Sequence, residues 1–288
     1  MSENQDQQRP PRKGIRKGVY VIPSLFTIGN IFCGFYAVIN SLKAYQVLND
    51  PAAAKILFNN ASVAIGIAYL LDGLDGRIAR LTHATSEFGV ELDSIADVIS
   101  FGIAPAVLAY TWGYGNLPGH EQLAWGVSFF FLICGALRLA RFNVLARAPR
   151  FDTPGATPKL DKKYFVGLPI PAAAGMISAV VHFIPAPQLG ANMEPRHWGL
   201  LALVLCLAVL MVSTFRYANF KDLGPRSNQP FLMIPILAAL IVSVVLYSEW
   251  MLLILVSAYV VHGPVLKIWG FINRAKRPAA EAEALPEK

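Results

Sequence analysis

Eight long apolar runs separated by short polar stretches dominate the chain, at approximately residues 22–42, 55–73, 90–113, 122–144, 166–187, 198–217, 230–248 and 250–270. Each approaches the ~20 residues that a helix needs to cross a ~30 Å hydrocarbon layer. In lipid the backbone must satisfy its own polar groups, so the runs predict helices and not open strands. The expected fold class is therefore all-α, a polytopic membrane bundle of about eight transmembrane helices forming one domain over 22–270. Residues 1–21 read as a basic tail and interfacial segment, and 271–288 as a disordered tail. Pro105, Pro169, Pro171, Pro235 and Pro264 fall within the runs, where kinks are tolerated. The small-residue stretch Ala172-Ala173-Ala174-Gly175 predicts close helix contact.

Composition agrees with the pattern: 55% of residues are hydrophobic, 15% are charged, and the mean hydropathy is +0.47. A net charge of +7 invites a nucleic-acid reading. The basic residues, however, are shared out between the apolar runs. With eight spans and both termini in the cytoplasm, 22 of the 25 lysines and arginines fall on the inner side; only Lys43, Lys55 and Arg196 do not. That asymmetry is the positive-inside signature of an inner-membrane protein. The basic start is too long, and the run after it too span-like, for a cleavable signal. Cys33, Cys134 and Cys206 lie far apart in apolar runs and read as buried packing residues, neither metal ligands nor a disulfide set.

One stretch breaks the apolar pattern. Asp72, Asp75, Asp93 and Asp97 lie at the ends of the second and third runs. A charge at the centre of a membrane helix costs about 2.5–3.5 kcal/mol, and a bound divalent cation is the cheapest compensation for several together. At about 100° per residue, Asp75, Gly76, Ala79 and Arg80 fall within about 80° of Asp72 on one helix face. On the next helix Asp97 and Gly89 each lie about 40° from Asp93. Two helices can thus aim two carboxylates each at a shared space. Oxygen-only ligands suit Mg²⁺, Mn²⁺ or Ca²⁺ and disfavour zinc. Gly76 and Ala79 remove bulk, letting phosphates approach the backbone, and Arg80 offers a fork of donors to phosphate oxygens.

The stretch reads D-x2-D-G-x2-A-R-x8-G-x3-D-x3-D, and by this signature the chain resembles the CDP-alcohol phosphatidyltransferases. The resemblance implies a cytosol-facing two-metal site, with Mg²⁺ or Mn²⁺, that moves a phosphatidyl group from a CDP-linked lipid to an alcohol. It implies that Asp72, Asp75 and Asp93 hold one ion, that Asp72, Asp93 and Asp97 hold the other, and that Asp97 is the general base. Gly76, Ala79, Arg80 and Ser86, with Thr27 and Asn30 of the first run, would contact CDP-diacylglycerol. The first-run segment Pro23-Ser24-Leu-Phe-Thr27-Ile-Gly-Asn30 has Ser24 where the family usually has Asn. Homodimers are common in the family, and the small-residue faces permit one.

Flanking stretches, including Arg138-Leu-Ala-Arg141-Phe142-Asn143 and Phe165-Val-Gly167-Leu-Pro169-Ile-Pro171, resemble the bacterial membrane-embedded subgroup whose acceptor is L-serine. Serine carries a carboxylate, so its site should offer a cation near the metals. Arg138 and Arg141, three apart at the end of the fourth run, fit that demand, and Asn143 could hold an arginine or the substrate. Glycerol 3-phosphate, inositol phosphate and choline are the alternative acceptors. His83 and His262 are assigned no role. A transporter would also carry intramembrane carboxylates, but with matching repeats, and the aspartate motif is not repeated.

Overall fold

The computed structural model describes residues 21–81, 87–147, 164–188, 194–218 and 242–275. The expected tail before residue 21, His83, Ser86, Pro235 with most of the run 230–248, and the chain beyond residue 275 lie outside these residues. So do the side chains of Ala79 and Arg80.

Among the described residues, seven helices are long enough to name: α1 (Val21–Gln46), α2 (Pro51–Leu81), α3 (Glu87–Tyr114), α4 (Glu121–Arg147), α5 (Ile170–Phe183), α6 (Pro195–Val212) and α7 (Ser248–Ala275). Among the described residues, six of them are long and apolar enough to cross a membrane; α5, at 14 residues, is the exception. The protein is thus a polytopic helical bundle. Its helices are built the reverse way from those of a soluble protein. On α1 the inward positions are Thr27, Asn30, Gly34, Ala37, Ser41 and Ala44, while Leu25, Ile28, Phe32 and Phe35 point outward. Small and polar side chains let the backbones approach, and the large apolar ones are left to lipid.

The α1–α2 link is short. Asp50 accepts from the backbone N–H groups of Ala52 and Ala53, both at 3.1 Å, and Pro51 starts α2. This is the N-cap geometry favoured by Asp with proline at the first helical position. α1 packs antiparallel to α2 and runs parallel to α3, touching it at Asn30 and Gly34 and again where Tyr45 donates to the Gly115 carbonyl at 3.1 Å. The α1–α3 crossing is tight, since a Cβ on Gly34 would collide with Ser100.

α3 contains two π-helical turns, Val98–Ile103 and Tyr110–Tyr114. The first has a clear cause. Pro105 has no N–H and its ring would press on the carbonyl four residues earlier, so the helix widens before it.

Two expected spans differ from their runs. The run 166–187 begins not as helix but as a strand, β1 (Tyr164–Val166), paired antiparallel with β2 (Arg216–Ala218), Phe165 opposite Tyr217. Gly167 follows with φ +82°, where a Cβ would run into the Met211 carbonyl. Its N–H donates to Phe215 O at 2.8 Å. Pro169 caps α5 and Pro171 stands in its first turn, so these prolines start a helix and do not kink one. The same ribbon ends α6 at Val212, short of the expected 217. Extended backbone is acceptable here because protein covers it: Gly167, Leu168 and Tyr217 are buried. Pro264 does lie inside α7. The small-residue stretch packs as expected, with Ala173 and Ala174 buried and Gly175 facing Val256 of α7. Cys134 is buried and Cys33 half-buried, but Cys206 is exposed on α6, contrary to its expected burial.

Candidate active site

The acidic motif occupies one end of the bundle, where the last turns of α2 meet the first turns of α3. Carboxylate oxygens of Asp72, Asp75 and Asp93 lie within 4.8 Å of one another. Asp97, one turn below Asp93, reaches Asp72 at hydrogen-bonding range. Two carboxylates come this close only with a proton or a cation between them. Asp75 is buried and accepts from Thr27 Oγ1 at 3.1 Å, so α1 orients it. Asp93 Oδ1 and Asp97 Oδ1 are buried with no hydrogen-bond partner among the described residues.

Orphaned, inward-facing carboxylate oxygens in an oxygen-only donor set are what a hard divalent cation requires. The residues present therefore fit Mg²⁺ or Mn²⁺. The surroundings leave room for a phosphate-bearing ligand: Gly76 is exposed, and a Cβ built on it would touch nothing within 4 Å.

The remaining candidates separate. Thr27 sits inside the cluster on Asp75. Asn30, one turn below it, is fully enclosed, with neither Nδ2 nor Oδ1 partnered among the described residues. Arg138 is half-buried on α4, its Nε enclosed and likewise unpartnered among them, and lies within electrostatic reach of Asp97 and of Tyr259 on α7. Arg141 is exposed; of the two arginines, Arg138 is the one recorded within reach of a carboxylate of the cluster. Asn143 Nδ2 donates to Ser94 Oγ at 2.8 Å and ties α4 to α3 beside Asp93.

Two neighbours carried no signal in the sequence. Tyr69 lies one turn before Asp72 and packs against Phe101 at 6.5 Å between ring centres. Tyr259 stacks 5.7 Å from Tyr217, which in turn fills the space over Gly263 and donates to Val260 O. Both depend on helix pairings that no local motif announces.

Comparison with known proteins settles the class of this site. Residues 20–215 match the family of CDP-alcohol phosphatidyltransferases. The chain belongs to that family. Among its relatives is the CDP-diacylglycerol–serine O-phosphatidyltransferase of Helicobacter pylori (strain ATCC 700392 / 26695). It is 39% identical over 210 residues, covering 70% of this chain and 74% of the relative. A Mycobacterium leprae (strain TN) protein of the same name is 29% identical over 278 residues, covering 96% and 83%. One from Bacillus subtilis (strain 168) is 34% identical over 201 residues, covering 69% and 91%. The family signature is the same stretch that the fold brings to the α2–α3 corner, and family membership removes the transporter alternative.

Proposed function

We propose that this membrane protein transfers the phosphatidyl group of CDP-diacylglycerol to the hydroxyl of L-serine, giving phosphatidylserine and CMP. The observation that carries the reading is the convergence of Asp72, Asp75 and Asp93, with Asp97 in reach of Asp72, and the buried oxygens of Asp93 and Asp97 that have no partner among the described residues. Several relatives named as serine phosphatidyltransferases support the choice of acceptor.

Asp72, Asp75 and Asp93 would hold one divalent cation, and Asp72, Asp93 and Asp97 the second. Bound there, Mg²⁺ or Mn²⁺ supplies Lewis-acid neutralisation of charge on the diphosphate. Gly76 leaves the backbone open to the phosphates, and Arg80 and Ser86 contact the cytidine diphosphate. Asp97 takes the proton of the serine hydroxyl as the new oxygen–phosphorus bond forms, while the bond from phosphorus to the CMP oxygen breaks and CMP leaves with the electron pair. Arg138, whose Nε has no partner among the described residues, offers its guanidinium to the serine carboxylate across from Asp97. Exposed Arg141 is better placed as an anchor at the membrane boundary.

The same reading puts the acidic end and both termini on the cytoplasmic side of the inner membrane. It retains eight spans, counting α5 and the run 230–248, within a membrane domain over 22–270. CMP release by purified protein, offered L-serine, glycerol 3-phosphate, inositol phosphate, choline or no acceptor, tests it. Release that needs serine is the expected result. Release with another acceptor only would leave the family and remove serine.

A further inference from the structure

Asn30 is fully enclosed, at 0% exposure, yet neither its amide nitrogen nor its amide oxygen has a partner among the described residues. Leaving a buried amide unpaired is costly, and few folds tolerate it without a reason. Its surroundings indicate what it is for. Gly34 of α1 lies directly against Ser100 of α3, and Ser100 Oγ donates to the Asn30 carbonyl at 2.9 Å. The two helices run parallel above that contact. Counting one turn up from Gly34 and Ser100 puts Asn30 near the level of Asp97, and the next turn puts Thr27 near that of Asp93. Helical side chains tilt toward their own N-terminus. The Asn30 amide therefore points up toward the acidic cluster, where Thr27 already holds Asp75 at 3.1 Å. The orphaned acceptor at its level is Asp97 Oδ1.

We infer that Asn30 is a positioning residue for Asp97: when a cation draws the carboxylates together, its Nδ2–H, without a partner among the described residues, donates to the inner Asp97 oxygen and leaves the outer oxygen aimed at the cation and the acceptor hydroxyl. A fully enclosed side chain touches no substrate, so this role replaces the expected contact of Asn30 with CDP-diacylglycerol. α1 then supports the cluster twice, through Thr27 on Asp75 and Asn30 on Asp97. The inference rests on the metal-dependent reading above.

The test uses the full chain in detergent, with Asn30→Leu as a near-isostere lacking both polar atoms. Mn²⁺ binding is read by electron paramagnetic resonance, folding by the thermal midpoint, and turnover by serine-dependent CMP release. The expected result is a midpoint at or above that of wild type, Mn²⁺ affinity weakened about tenfold, and kcat lowered about thirtyfold. KM for CDP-diacylglycerol should stay within about twofold. Asn30→Ser, which keeps a donor in less volume, should recover part of both losses. Wild-type Mn²⁺ binding and kcat in Asn30→Leu would overturn the inference alone. So would a raised KM for CDP-diacylglycerol with kcat and Mn²⁺ binding intact. No Mn²⁺ binding by the wild type would overturn the metal reading and this inference with it. Should Asn30→Leu not fold, Asn30→Ala carries the same expectations.

Discussion

The two ends of the bundle are built to opposite rules. At the end away from the motif, most polar groups find partners. Asp50 caps α2. Trp112 Nε1 donates to the carbonyls of Ile184 and Ala186 at 3.0 and 2.9 Å. Tyr114 and Ser128 share a hydrogen bond of 2.8 Å, and His197 both caps α6 and meets the Gln188 carbonyl. His182 joins Asn59 of α2 to Ser248 of α7. Among the described residues, Asn30, Asp93, Asp97 and Arg138 at the motif end keep buried polar atoms without partners, and Ser178 on α5 is the exception elsewhere. The satisfied end holds the helices in register; on the proposed reading, the unsatisfied end keeps its binding capacity for cation and substrate. Buried polar atoms left unpaired cost stability, and here they collect where chemistry would use them.

Substitutions at the two ends should therefore separate activity from stability. The largest effect belongs to the carboxylates. Asp93→Asn keeps the shape and removes a charge from the cluster, and serine-dependent CMP release should fall about a thousandfold, about 4 kcal/mol of transition-state stabilisation. The thermal midpoint should hold or rise, since a like charge has been removed.

Next comes the α1–α3 crossing. Gly34→Val places side-chain atoms where Ser100 already sits, so the helices must part and carry Thr27 and Asn30 away from the aspartates. Activity should drop about a hundredfold, with a lowered midpoint, since overpacking a tight contact costs about 1–3 kcal/mol.

Arg138→Leu should lower kcat/KM for serine about 30–100-fold, about 2–3 kcal/mol for a charge-assisted contact. KM for CDP-diacylglycerol should change little, and Arg141→Leu should leave serine kinetics near wild type. Equal effects at the two arginines would break the assignment.

The smallest catalytic effect is expected at the satisfied end. Trp112→Phe removes the donor to Ile184 and Ala186, and stability should fall by about 1 kcal/mol, the net worth of a typical hydrogen bond. kcat, measured on the folded fraction, should stay within about twofold.

Much of this division was legible in the sequence because it follows from local periodicity. The helix angles put Asp72, Asp75 and Gly76 on one face, and the structure brings Asp72 and Asp75 together with Asp93. The support beneath them was not legible. Asn30 reaches the level of Asp97 only through the Gly34–Ser100 crossing, a contact between residues far apart in the chain. Arg138 and Arg141, three apart, differ by about 60° around the helix. That is enough at a helix end for one to face Asp97 and the other to face outward. Hydropathy joined residues 166–187 into one run because Val166, Leu168 and Ile170 are apolar in strand, turn and helix alike. The ribbon with residues 216–218 is a long-range pairing, and the α5 start depends on Gly167 and two prolines.

The most direct test of the account is CMP release from CDP-diacylglycerol with L-serine by the wild-type protein, stripped with chelator and then titrated with Mn²⁺ or Mg²⁺, with Asp93→Asn alongside. The account predicts no release after chelation, recovery on adding either cation, dependence on serine throughout, and no recovery in Asp93→Asn. Undiminished release from the chelated enzyme, or full recovery in Asp93→Asn, would contradict the claim that the acidic end works by holding a divalent cation.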